Sequence, residues 1–244
     1  MSKDTLPNKT YTTGDAVTLG GYKWHVIGDT GTQVTLLMDA NQLGDNSNMA
    51  HCTSANDSSN NCTYNGSSYV YSWDKSLIRN YLNGEFLTNL ESKISNEIVS
   101  TSICADPSKD TTGGLEQSYG GYLMSELTVL GKTRECSKTV SDKVRLISYS
   151  EYWNMSPYYS GINSNYPNVE EIKRIKDNYD TWLYCSSSNC GNSNGDWWTM
   201  CSSSGTGTNY VRCAHYVHSG GSLDYNGYGE HASSLRPVIT IKKL

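Results

Sequence analysis

His215 and His218 lie three positions apart, and Cys185, Cys190, Cys201 and Cys213 follow one another in the last quarter of the chain. On a helix the two histidines would share a face and could hold a metal ion. On a strand, the reading that residues 210–218 favour, they point to opposite faces. Four cysteines can make a zinc set, but these lack the tight C-x-x-C pairs of zinc ribbons, and disulfides fit them better. Asp224 and Glu230 stand apart from any acidic cluster of the kind a calcium loop needs. A cysteine–histidine hydrolase is disfavoured, because a compartment that makes disulfides would oxidise its thiol. The expectation is a protein without catalytic residues, metal or cofactor.

Recognition is the chemistry that remains. From Ser202 to Ser234 the chain is dominated by Ser, Gly, Tyr, Asn and His, between the apolar Trp197-Trp198 and the strand-like 235–241. Tyr supplies rigid contact area at low entropy cost, while Ser, Gly and Asn supply adaptable hydrogen bonds, as in antibody contact loops. Strand alternation sorts the side chains. Val211, Cys213, His215 and Val217 share one parity; Tyr210, Arg212, Tyr216 and His218 share the other. Burying the valines presents the second set to solvent, and Tyr and Arg are residue types that dominate contact energies. Asp224, Tyr225, Tyr228 and His231, in the loop that follows, extend the expected contact set.

These side chains need a frame. The chain has 244 residues, enough to bury roughly 70–75% of its unfolded surface around one core. Net charge is −5 with 18% charged residues, which indicates no nucleic-acid partner. Tyr and Trp number 19 and 6 against a single Phe, Phe86. No run approaches the ~18 apolar residues of a membrane helix, and Met1-Ser2-Lys3-Asp4 opens no signal-peptide apolar region. Even so, eight cysteines (Cys52, Cys62, Cys104, Cys136, Cys185, Cys190, Cys201, Cys213) in polar surroundings fit disulfides in an oxidising compartment. Nearest-neighbour pairing (52–62, 104–136, 185–190, 201–213) has the lowest closure entropy among roughly a hundred alternatives. The chain is therefore expected outside the cell or at its surface, with its export or anchoring segment not in this sequence.

Residues 1–14 read as a polar lead-in to a single domain, 15–244. Residues 16–19 and 22–27 flank Gly20-Gly21 as a hairpin, and 33–38 continue as a third strand. Residues 44–68 form a long Asn/Ser-rich loop that calls for a staple. Two helices are expected, one carrying Trp73, Leu77, Ile78, Tyr81 and Leu82, the next Leu87, Leu90, Ile94 and Ile98, with Asn83-Gly84 breaking them. Residues 104–142 look irregular, 144–147 form a short buried strand, and Ser148 with Glu151 makes a capping box. Residues 169–179 read as an amphipathic helix; after Trp182 only strands and loops follow. The fold class is α+β.

Four stretches follow in order: Trp73 to Phe86 (WDKSLIRNYLNGEF), Asp142 to Glu151 (DKVRLISYSE), Trp197-Trp198, and Leu235-Arg236-Pro237-Val238. In them the chain resembles the bacterial DUF6273 family, whose fold is thought to be C-type-lectin-like, akin to formylglycine-generating enzymes. The tryptophan pair, hypervariable stretch and closing Arg-Pro-Val strand are also similar to variable proteins of diversity-generating retroelements and to pilin-linked surface proteins. The resemblance implies mixed antiparallel strands with helices, long loops and a ligand-display segment over 197–237. It makes Thr199 to Ser234 the displayed stretch, adds Thr199 to the contact set, and leaves Trp197, Trp198, Arg236, Val238 and Ile239 as framework. Cys201 and Cys213 depart from similar proteins by lying inside that stretch. The implied function is an adhesion or binding module whose partner is a protein or glycan on another cell surface, with membrane attachment only through an anchor or pilus segment. Cys185 and Cys190 also have the C-x4-C spacing with which formylglycine-generating oxidases hold copper, a metal that favours thiolates. The basic and glycine-rich surroundings of that motif are missing, so a copper oxidase is an alternative, as is a structural surface or pilus subunit that binds nothing.

Overall fold

The computed structural model describes residues 2–52, 63–64, 69–70, 73–107, 122–123, 125, 136–148, 151–152, 155, 182–183, 196–202, 214–217, 223–227 and 232–244. The N-terminal part holds β1 (Ala16–Leu19), β2 (Tyr22–Asp29), β3 (Gln33–Met38), β4 (Asn48–Met49) and the short hairpin of β5 (Thr63–Tyr64) with β6 (Tyr69–Val70). Next come α1 (Leu77–Tyr81), a π turn (Leu82–Phe86), α2 (Leu87–Lys93), β7 (Ile98–Val99), β8 (Thr101–Pro107), β9 (Tyr122–Leu123), β10 (Cys136–Asp142) and β11 (Val144–Arg145). The chain closes with β12 (Trp197–Ser202), β13 (Ala214–Val217), β14 (Leu223–Gly227), β15 (Ser233–Ser234) and β16 (Val238–Lys242).

Gly20 and Gly21 turn β1 into β2 with φ of +62° and +81°, the left-handed pair that a two-residue hairpin needs. β2 pairs with β3, and the last strand, β16, lies beside β3 in antiparallel register from Val238↔Leu37 to Lys242↔Gln33. The other edge of β16 is shared by β7 and β11, which completes a six-stranded antiparallel sheet. Alternation loads both faces. Trp24, Val26, Leu36, Met38, Ile239 and Ile241 enter the main core, while Leu37 and Val238 point into a second cluster with Ile147, Tyr152, Leu183 and Trp197.

The helical run covers the main core with Ile78, Leu82, Phe86 and Leu90, one residue per turn. The break expected at Asn83-Gly84 is not a break: α1, the π turn and α2 are continuous. The Asn83 side chain explains this. Its Oδ1 accepts from the backbone N–H groups of Lys143 and Val144, each at 3.1 Å, and its Nδ2 donates to the Val144 carbonyl at 2.7 Å. These bonds offset the poor helix propensity of the Asn-Gly pair. The run also ends earlier than its apolar periodicity implies, because Ile94 turns extended and Ile98 joins the sheet through β7.

Three further expectations change. The lead-in is built into the fold: Leu6 and Tyr11 are buried, Asn96 bonds both the N–H and the C=O of Leu6, and Tyr11 N–H donates to Asp29 at 2.8 Å. Residues 104–142 are not wholly irregular, because β8 and β10 pair antiparallel with β9 alongside, and a Cys104–Cys136 disulfide staples β8 to β10. Of residues 144–147 only Val144 and Arg145 are strand; Leu146 and Ile147 are buried beyond it, and the Ile147 carbonyl accepts from the Met200 N–H at 2.9 Å. The capping box, by contrast, is complete: Glu151 N–H donates to Ser148 Oγ at 3.1 Å and Ser148 N–H to Glu151 Oε2 at 3.0 Å. The 169–179 segment lies outside the described residues. Among the described residues no helix is long and apolar enough to cross a membrane.

Candidate display sheet

The segment singled out from composition builds a second, five-stranded sheet in the order β14-β13-β12-β15-β4. Its central strand β12 begins with the tryptophan pair, and alternation sends the two indoles to opposite faces. Trp197 packs with Val217, Val238 and Leu183, with Tyr152 edge-on at 5.6 Å. Trp198 packs with Met200, meets Tyr216 edge-on at 6.1 Å and the His51 ring at 4.8 Å, and donates its Nε1–H to the Met49 carbonyl at 2.9 Å. Both indoles are wholly buried, so the sheet enters the molecule through a two-sided wedge.

The exit is held as firmly. Arg236 has no solvent exposure. Its guanidinium donates to the carbonyls of Met38 (Nε, 3.0 Å), Leu183 (Nη1, 3.1 Å) and Trp182 (Nη2, 2.5 Å), and it lies 4.7 Å over the Trp197 ring. Burial draws its pKa down to about 10, with the Asp39 carboxylate opposing, so it remains a cation at neutral pH. One planar fork thus joins the chain just before β16 to β3 and to the 182–183 turn.

Of the expected contact residues, Thr199 is fully buried on β12. Tyr216 lies on the Trp198 face, half-buried, while Val217 beside it is in the second core. Asp224 and Tyr225 are on β14, which ends the sheet. Tyr210, Arg212, His218, Tyr228 and His231 lie outside the described residues, as do Cys62, Cys185, Cys190 and Cys213. Cys201 is on β12, and Cys52 is buried and disulfide-bonded.

Two histidines beneath the sheets escaped the sequence reading. His25, on β2, stacks on Trp182 at 4.8 Å with Nε2 3.6 Å from Asp39 Oδ1. Burial pushes the Asp39 carboxyl up, but His25, Lys23 at 2.9 Å and the Ala40 N–H outweigh it and hold it well below the usual carboxylate range. His51 follows β4 and is fully buried, which pulls its imidazole down to about 3. The signal for His25 was its place among inward and outward residues of β2; for His51 there was none. Among the described residues, no three His, Cys, Asp or Glu side chains form a group that could hold a metal ion.

The model of a family described as "Domain of unknown function (DUF6273)" matches residues 32–243. No curated protein and no solved structure matches the chain.

Proposed function

The chain belongs to the DUF6273 family, and from that premise we propose that it is an exported binding or adhesion module that displays segment 197–237 on a C-type-lectin-like frame. The observation that carries this reading is the double clamp on the segment. Trp197 and Trp198 are wedged into two cores at its entry, and Arg236 is locked by three carbonyls at its exit. A contact surface gains affinity when ordering it on binding costs little, and such a clamp removes much of that cost beforehand. The Tyr, Ser and Gly composition between the clamps suits a surface that varies in sequence while its frame stays constant, which is the arrangement of retroelement-diversified variable proteins. The Cys104–Cys136 disulfide supports an oxidising setting outside the cell. The partner class is a protein or glycan exposed on another cell, met by Tyr210, Arg212, Tyr216, His218, Asp224, Tyr225, Tyr228 and His231.

The test is binding of the disulfide-intact chain to arrays of glycans and of extracellular protein domains. A saturable ligand is expected, and Tyr210→Ala with Arg212→Ala and Tyr225→Ala should weaken it about 30-fold or more without changing the circular dichroism. Absence of any saturable ligand, or unaltered affinity in the variant, would overturn the reading. A protein with free Cys185 and Cys190 thiols that takes up one copper ion would instead support the oxidase.

A further inference from the structure

Alternation places Lys23 and His25 of β2 on the face of the main sheet opposite Trp24 and Val26. Asp39, which follows β3, joins them there: its N–H donates to the Lys23 carbonyl at 2.9 Å, and His25 lies in register with Leu37. The Trp182 indole covers this corner. It stacks on the His25 ring at 4.8 Å with the planes 20° apart, and its Nε1 edge lies against Gly14, where a Cβ would come within 3.4 Å.

The corner is polar, open to water and incompletely bonded. Lys23 Nζ pairs with Asp39 Oδ2 at 2.9 Å, the two side chains are 52% and 22% exposed, and Trp182 is half-buried. Behind them His25 is only 4% exposed, yet neither ring nitrogen has a hydrogen-bond partner among the described residues. Its Nε2 stops 3.6 Å from Asp39 Oδ1, beyond bonding distance. Buried polar atoms are nearly always bonded, so a nitrogen left over behind an open carboxylate calls for a group from outside.

We propose that Lys23, His25, Asp39 and Trp182 form a binding site for a single neutral sugar ring. Such a ring offers a face of C–H groups to an indole, and neighbouring hydroxyls that each donate and accept. Asp39 supplies the acceptor and Lys23 the donor, side by side at the edge of an aromatic surface, the mixture of one apolar wall with a few fixed polar groups that small-ligand sites use. A hydroxyl that donates to Asp39 Oδ1 comes within reach of His25 Nε2, the group that lacks a partner. The Lys23–Asp39 pair is internally neutral, so a charged ligand gains no net attraction from it. The next cation, Arg236, is wholly buried and gives its donors to three carbonyls. None of the four residues belongs to the expected display contacts, so the site stands whether or not the display sheet binds a partner.

NMR titration of the intact chain with the methyl pyranosides of glucose, galactose, mannose and N-acetylglucosamine tests it, read at the Trp182 indole N–H and the His25 ring nitrogens. At least one pyranoside should saturate with a Kd on the order of 1–10 mM, the affinity of a one-ring contact, and move both reporters. Asp39→Asn, which keeps the shape and removes the charge, should weaken it about tenfold, and Lys23→Met about threefold. No saturation below about 100 mM would overturn the proposal. So would saturation that leaves the Trp182 and His25 signals in place, or unchanged affinity in a folded Asp39→Asn protein. Should that variant not fold, Lys23→Met, altered at a half-exposed side chain, decides by the same criterion.

Discussion

Arg236 shows how one residue can hold a long segment in place. A buried guanidinium that has no carboxylate partner among the described residues is expensive to desolvate, and here the cost is offset by three carbonyls, the Trp197 π face and the field of Asp39. The energy resides in the whole set: removing the cation leaves three buried acceptors unmet. Arg236→Met is therefore expected to cost about 3 kcal/mol or more, read as a Tm lowered by roughly 6–12 °C. A loss under about 1 kcal/mol would mean that water replaces the guanidinium. The fully buried Thr199 teaches the complementary lesson, since a polar side chain next to the tryptophan pair can belong to the interior.

Among elements, the most informative is the helical run that a strand-like neighbour keeps whole. Asn83 bonds the backbone of Lys143 and Val144, Arg79 grips Asp142 with Nε and Nη2, and the Trp73 indole donates to the same carboxylate at 2.7 Å. The stretches WDKSLIRNYLNGEF and DKVRLISYSE are thus two halves of one contact, which is a physical reason for their occurring together. The β1–β2 hairpin meets the same helix. A Cβ on Gly20 would lie 2.5 Å from Leu90 Cδ1, while one on Gly21 meets nothing within 4 Å. Gly20→Ala should cost about 2–4 kcal/mol, dihedral strain plus overpacking, and Gly21→Ala only about 1–2 kcal/mol. Denaturant midpoints of the two variants separate packing from dihedral strain; equal losses would assign the whole effect to the turn.

At the scale of the whole molecule, the two ends of the chain are locked together. Asp29, at the end of β2, accepts from Lys243 Nζ and Tyr11 N–H, each at 2.8 Å, and Lys243 Nζ also donates to the Lys9 carbonyl. The Lys243 bond, with the Tyr11 and Gly31 N–H groups, lowers the Asp29 pKa to about 2. Because the folded value lies below the unfolded one, this stabilisation is present above about pH 4 and is lost as pH falls from there toward 2. Asp29→Asn should flatten this acid limb of the stability curve, measured by urea unfolding at a series of pH values; an unchanged slope between about pH 4 and 2 would remove the lock from the account.

Local pattern was enough for the β1–β2 hairpin, the strand 33–38 and the Ser148–Glu151 cap, because each depends on dihedrals or on neighbours close in sequence. It was misleading where partners come from afar. Asn83-Gly84 looked like a helix break because the strand that rescues it lies some sixty residues on. The polar N-terminal stretch read only as a lead-in because Asn96 and Lys243, which fasten it, carry no mark of that role in the sequence. Which histidine is buried against which indole, and which carbonyls converge on Arg236, were decided only when the sheets packed, since burial and long-range hydrogen bonds are properties of the assembled fold and not of any window along the chain.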